Sequence, residues 1–179
     1  GNFFPTAGAA VPDEMCEFVH SVGINMLVGY GLTESTATVS CFQNSGYEIG
    51  SVGTVMPDVE VKIGENNEIL LRGKTITKGY HKKAEATAEA IDKEGWFHTG
   101  DAGYLNGDCL YLTERIKDLF KTSNGKYISP QALETKLAID RYIDQIAIIA
   151  DQRKFVSALI VPMYGFVKDY AKEKGIEYK

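Results

Sequence analysis

The spacing of hydrophobic and polar positions changes twice along the 179 residues. Met15, Phe18, Val19 and Val22 recur at three- and four-residue intervals within Pro12 to Val22. That is the stripe of an amphipathic helix whose proline sits in the first turn. Gly23 predicts its end. Ile24 to Val28 then reads as a buried strand running into Gly29-Tyr30-Gly31-Leu32-Thr33-Glu34. Between Thr36 and Thr113 the period drops to two. Short strands are predicted at Val59 to Ile63, Glu68 to Arg72 and Cys109 to Thr113, with turn signals at Gly64-Glu65-Asn66-Asn67 and Asn106-Gly107-Asp108. Only Ala84 to Ile91 reads as helix in this stretch. After Arg115 the pattern shifts again. A hairpin is predicted around Ser123-Asn124-Gly125, a helix from Pro130 to about Asp140, strands at Ile143 to Ala150 and Phe155 to Pro162, and a last helix from Gly165 to Lys174.

These elements predict a mixed α+β chain in three parts. Residues 1–44 read as the last βα unit of an α/β sheet layer, and 45–116 as a small antiparallel, barrel-like or curled sheet. Residues 117–179 read as the start of a small α+β domain with a βαβ-rich pattern, truncated by about one element. The chain opens without methionine on a buried-looking segment, so it is expected to be a piece of something longer.

Composition narrows the function classes. Hydrophobic residues make up 44% and charged residues 24%, which is ordinary for a globular protein. Nineteen basic against twenty-four acidic residues give a net charge of −5 with no basic stripe, which disfavours nucleic-acid binding. The apolar runs are too short to span a bilayer, and the opening residues lack a charged leader and a cleavage pattern. Cys16, Cys41 and Cys109 have neither paired nor metal-ligand spacing and are expected to be buried, reduced thiols in a cytoplasmic protein. The three histidines are too scattered for a metal site. Tyr164 to Tyr178 mixes aromatic residues and lysines, which fits either ordinary helix packing or peripheral membrane association.

Three segments carry candidate chemistry. The first, Gly29 to Glu34, gathers a ring suited to a base, a hydroxyl suited to a phosphate oxygen and a carboxylate suited to magnesium, among glycines that let a backbone come close. The second is Gly95-Trp96-Phe97-His98-Thr99-Gly100-Asp101. Its aspartate can accept from both hydroxyls of a ribose, or can simply head an Asx turn into Ala102 to Leu105. The third, Thr113-Glu114-Arg115-Ile116-Lys117-Asp118, is a solvated charge cluster or a hinge at the boundary between compositions.

Taken together, Tyr30 to Glu34, Glu68 to Tyr80, Trp96 to Gly103 and Glu114 to Asp118 resemble the adenylate-forming, AMP-binding superfamily. Lys93 to Asp101 and Thr113 to Thr122 are most similar to its long-chain fatty acid–CoA ligases. The resemblance implies ATP-dependent conversion of a fatty acid to an acyl-adenylate, then a thioester with CoA, with ATP, magnesium and CoA taking part. It implies that Gly8 and Ala9 belong to the adenine-side loop and that Tyr30, beside Gly31, stacks on adenine. Thr33 would bond the α-phosphate, Glu34 would hold magnesium, and Asp101 would grip the ribose with Arg115 assisting. Lys117 falls at the hinge position, and Gly125 in the loop lining the CoA pantetheine tunnel. Arg72, Gly79 and Tyr80 match a structural motif with no substrate contact assigned.

Two essential parts of the family pattern are missing, and one motif position differs. Nothing in residues 1–29 resembles the Ser/Thr/Gly-rich phosphate loop, and no lysine up to Lys179 has the context of the family's terminal catalytic lysine. Gly29 stands where many relatives carry Asn or Gln, a long-chain subtype feature. The 179 residues alone are therefore expected to be inactive. Two other readings stay open: an adenylate-forming enzyme for another acid or a carrier-protein thiol, and a non-catalytic nucleotide-binding module that kept the fold.

Overall fold

The computed structural model describes residues 4–36, 38–42, 46–123, 127–151 and 153–177. They form two compact units, Gly1–Lys117 and Asp118–Lys179.

In the first unit, strand β1 (Phe4–Thr6) is followed by helix α1 (Asp13–Ser21) and strand β2 (Met26–Tyr30), and the two strands pair in parallel. Asp13 and Glu14 lie in the first turn of α1 and His20 in its last, charges that suit the helix dipole. Gly23, at φ +80°, donates its N–H to the His20 carbonyl and stops the helix, as its position predicts. The apolar stripe on α1 is exposed at Met15, Phe18 and Val22, and within the helix only Cys16 is buried.

Strands β3 (Ser40–Cys41), β4 (Thr54–Val55), β5 (Val59–Ile63) and β6 (Glu68–Gly73) follow. Helix α2 (Ala84–Ala90), β7 (Phe97–Asn106) and β8 (Cys109–Arg115) complete the unit. Its eight strands make one sheet in the order β1-β2-β3-β4-β8-β7-β6-β5. All pairings after β1–β2 are antiparallel. Among the described residues no pairing joins β5 back to β1, so the curled sheet is open and forms no closed barrel. It is also continuous with the α/β layer that the sequence sets apart as a separate element.

One face of this sheet holds the core: Tyr30, Val39, Val59, Ile69, Leu71, Phe97 and Leu110. Ile69 and Leu71 alternate onto it along β6, as a period of two requires. The β5–β6 turn passes through Asn66 and Asn67 at φ 53° and 59°, a left-handed conformation that asparagine tolerates.

The second unit contains a two-stranded pair, β9 (Phe120–Lys121) with β10 (Tyr127–Ile128), then α3 (Pro130–Leu137). Ser129 caps α3 by accepting the Ala132 N–H. Next come β11 (Ile143–Ile149), β12 (Ser157–Pro162) and α4 (Tyr164–Lys174). The βαβ-rich pattern read from sequence is not what forms among the described residues, because β10 and β11, which flank α3, lie in separate two-stranded sheets, and β11 and β12 pair antiparallel. Their connection is too short for a crossover, which takes a dozen or more residues. Glu134 on α3 accepts the Ile148 N–H of β11 at 2.7 Å. The thiols also depart from expectation: all three are free, but only Cys16 is buried, and Cys41 and Cys109 are half-buried at strand positions near the sheet surface. No described helix is long and apolar enough to cross a membrane.

Candidate functional site

Tyr30 is the last residue of β2, and Asp101 lies within β7 directly opposite Arg115 of β8. In a flat sheet, β2 and β7, four strand spacings apart in this order, would lie roughly 19 Å from each other. Instead the Tyr30 hydroxyl donates to Asp101 Oδ2 at 2.6 Å. The curl of the sheet therefore assembles the pair. Arg115 Nε lies 3.5 Å from Asp101 Oδ1, with the arginine half exposed and the aspartate side chain at 15%. Burial, then the bond to Asp101, pushes the Tyr30 phenol far above its ordinary pKa, so it stays a donor.

Asp101 heads no Asx turn; it sits inside a ten-residue strand. A register shift falls one residue after it, because Ala102 pairs with Glu114 while Gly103 pairs with Leu112. Thr113 is the extra residue of this bulge, a device that bends a strand and redirects its side chains. Gly103 makes the close packing there feasible: a Cβ on it would lie 2.1 Å from the Tyr111 carbonyl oxygen. The backbone before Asp101 is held as well. Gly100 donates its N–H to Glu68 Oε1 at 2.9 Å, and Glu68 Oε2 lies 2.9 Å from His98 Nδ1. The Thr99 hydroxyl accepts the Asp101 N–H and donates to the Ile69 carbonyl.

Beyond β2, Gly31 and Leu32 lead into a single helical turn, Thr33–Ser35. Ser35 is fully buried, and its hydroxyl both accepts the Leu32 N–H and donates to the Leu32 carbonyl. That internal tie leaves Thr33 exposed and Glu34 half-buried on the outer side of the turn. The Glu34 carbonyl accepts the Thr77 N–H at 2.7 Å, and its Oε1 accepts the Tyr80 hydroxyl at 2.8 Å. That hydrogen bond is the main cause raising the Tyr80 phenol above its ordinary pKa.

A hollow of about 180 Å³ opens beside this constellation, lined by Pro5, Thr6 and Ala7 from the end of β1 and by Leu27, Gly29, Tyr30, Thr38 and Cys41. Gly8 and Ala9 are the exposed residues that follow Ala7. Pockets for whole drug-sized ligands run to about 300 Å³ or more, so this one suits part of a ligand, such as a planar base. Tyr30 forms its wall with the ring committed to the core.

The first unit thus joins Tyr30, Asp101 and Arg115 by direct contact and places Gly31, Thr33 and Glu34 on the adjoining turn. The backbone of Lys117 lies in the turn Ile116–Asp118, where the first unit ends. Gly125 lies outside the described residues. Sequence reasoning missed Tyr80 as the partner of Glu34, and Glu68 and Thr99 as supports of Asp101. The glycines beside Tyr80 and Asp101 hint at close packing there, but nothing in the sequence names the partners.

The family model for AMP-binding enzymes matches residues 3–81. A mouse long-chain-fatty-acid–CoA ligase is 37% identical over 166 residues, 89% of this chain and 23% of its own length. Long-chain-fatty-acid–CoA ligase 1 of Saccharomyces cerevisiae is 34% identical, over 98% of this chain and 27% of its own length. The chain therefore spans about a quarter of the length of the curated relatives it matches. Among solved structures, the Bacillus subtilis o-succinylbenzoate CoA synthetase in complex with an acyl-adenylate superimposes with a TM-score of 0.78 at 25% identity, covering 94% of this chain and 39% of that one. The same enzyme in complex with ATP and a magnesium ion gives 0.77 at 26% identity over the same shares. By motif, sequence likeness and fold, the chain belongs to the AMP-binding, adenylate-forming enzyme family.

Proposed function

We propose that this chain supplies the nucleotide-facing part of a long-chain fatty acid–CoA ligase. In the reaction, a fatty carboxylate oxygen attacks the α-phosphorus of ATP, forming the acyl-adenylate and releasing pyrophosphate. The CoA thiol then attacks the acyl carbon, losing its proton and displacing AMP. The observation that carries this reading is the convergence of Tyr30 and Arg115 on Asp101.

A carboxylate offers about four lone-pair sites. Tyr30 occupies one and Arg115 faces another, which leaves about two for the adjacent hydroxyls of a ribose. Asp101 is held from behind by a donor that stays protonated, so it need not reorganise on binding. The base would rest in the hollow walled by Tyr30, with Gly8 and Ala9 at its rim. Thr33, exposed on the turn after β2, would donate to the α-phosphate.

Glu34 fits a magnesium ion in the form that ion prefers. Among the described residues no three His, Cys, Asp or Glu side chains cluster as an all-protein cage. Magnesium is usually held by one or two carboxylates together with substrate phosphates and water; Glu34 has one oxygen bonded to Tyr80, and the other would take the cation. When bound it would neutralise phosphate charge. Lys117 as hinge and Gly125 beside the CoA path complete the reading.

The test is ATP–pyrophosphate exchange driven by palmitate, in the whole polypeptide that carries these residues. Asp101→Asn is expected to raise KM for ATP about tenfold or more, since it removes a charged acceptor from the ribose. An unchanged KM would overturn the assignment, as would exchange by the 179 residues alone. A second reading, activation of an aromatic acid, draws on the likeness to the o-succinylbenzoate enzyme. Faster exchange with an aryl acid than with palmitate would favour it.

A further inference from the structure

We propose that Tyr80 is a positioning residue for the Glu34 carboxylate, orienting it toward the magnesium–phosphate group. This rests on the reading above that Glu34 holds magnesium.

The turn bearing Glu34 is three residues long, with Ser35 buried beneath it and Glu34 half-buried on its outer side. A glutamate there would ordinarily spread over many rotamers, so holding it in one costs side-chain entropy. Here the turn is clamped to a segment forty residues further on. Thr36 donates its hydroxyl to the Thr75 carbonyl at 2.6 Å, Thr77 donates its N–H to the Glu34 carbonyl at 2.7 Å, and Tyr80 donates its hydroxyl to Glu34 Oε1 at 2.8 Å. The first two bonds fix the backbone of the turn. Only the third acts on the carboxylate.

Tyr80 is itself placed with care. Its N–H donates to Thr87 Oγ1 on α2 at 2.9 Å, and the Thr87 hydroxyl donates in turn to the Lys83 carbonyl. Gly79, at φ +137°, makes this approach possible, because a Cβ there would lie 2.5 Å from Thr87 Cγ2. Thr77 Oγ1 also accepts the Gly79 N–H. A positive-φ glycine and two threonine bonds thus hold the segment that brings the phenol to one carboxylate oxygen. A ring serving only surface packing would need none of that.

The geometry assigns each carboxylate oxygen a task. Oε1 is taken by a neutral donor that cannot compete for the cation. The second oxygen is thereby turned to a fixed direction and left to the metal. This is the arrangement by which outer partners orient metal-ligating carboxylates generally.

The experiment uses the whole polypeptide that carries these residues, with manganous ion as the probe for the magnesium position. Binding of Mn²⁺ to the protein–ATP complex is read from the loss of the free-ion electron paramagnetic resonance signal, for the wild type, Tyr80→Phe, Glu34→Gln and the double variant. Tyr80→Phe is expected to weaken Mn²⁺ binding roughly three- to tenfold, the worth of one hydrogen bond. Its thermal melt by circular dichroism should stay unchanged, and the Mg²⁺ concentration for half-maximal exchange should rise in parallel. Glu34→Gln is expected to weaken binding further, and the double variant to match Glu34→Gln alone. Unchanged binding in Tyr80→Phe with weakened binding in Glu34→Gln overturns the role of Tyr80 and leaves Glu34 as the ligand. Unchanged binding in Glu34→Gln overturns the Glu34 reading itself. Additive losses in the double variant would show that Tyr80 acts elsewhere and also overturn the proposal.

Discussion

Tyr30→Phe tests the buried Tyr30–Asp101 bond through stability alone, with no substrate present. The ring is 8% exposed and packs in the core, so removing one oxygen leaves the packing almost intact. What is lost is a hydrogen bond of 2.6 Å to a carboxylate. Bonds to charged groups contribute about 1.5–3 kcal/mol, and Asp101 keeps Arg115 and some access to water, so the expected cost at pH 7 is about 1–2 kcal/mol. The sign of its pH dependence follows from the raised pKa of Tyr30. In the unfolded chain the phenol ionises near pH 10, while in the folded protein it stays protonated well beyond that. The stabilisation is therefore complete below about pH 10 and is lost above it at about 1.4 kcal/mol per pH unit. Tyr80 and Tyr111, also raised, are common to both proteins and cancel in the difference. Urea unfolding followed by the single, buried Trp96 should show the wild type ahead at pH 7 and 9, with the gap near zero at about pH 11. No gap at pH 7, or a gap constant up to pH 11, would refute the buried bond.

Two further substitutions probe the support of Asp101. Gly103→Ala would drive a methyl into the Tyr111 carbonyl and Ile69 Cδ1, so the unfolding free energy should fall by about 1–3 kcal/mol or more, read as a lower urea midpoint at an unchanged m-value; a loss under about 0.5 kcal/mol would show that the bulge relaxes freely. Glu68→Ala orphans the Gly100 N–H and releases His98, and is expected to cost about 1–3 kcal/mol in urea unfolding and to weaken ATP binding several-fold by calorimetry. Full ATP affinity in that variant would show that Asp101 is positioned without it.

Local elements were legible because their signals are local. Val59–Ile63 follows the alternation of its residues to the letter, and Gly23 ends α1 where its backbone freedom is needed. Thr33–Glu34 fell on a turn after a strand, as the polar break after an apolar run implies. The contacts that build the site were not legible, because they join residues 71 and 46 positions apart with no periodic trace between them. The antiparallel pairing of β11 and β12 could have been read from the length of their connection. The bulge at Thr113 could not: one extra residue in a strand leaves the period-two pattern intact on either side of it.

The burial of Tyr30 changes how its conservative replacement should be understood. A tyrosine that only stacked on a base would exchange for phenylalanine at little loss, since the ring supplies the stacking. Here the ring already belongs to the core, so its position as wall of the hollow is fixed by folding, with or without ligand. The hydroxyl then does what the ring cannot, holding a carboxylate that β7 alone would leave free to rotate. The same bond fastens β2 to β7 across the curl of the sheet. Fold stability and the orientation of the Asp101 carboxylate are therefore one quantity at this position. A variant that loosens Asp101 should lose both together, whereas a defect confined to the turn of Thr33 and Glu34 should spare the fold.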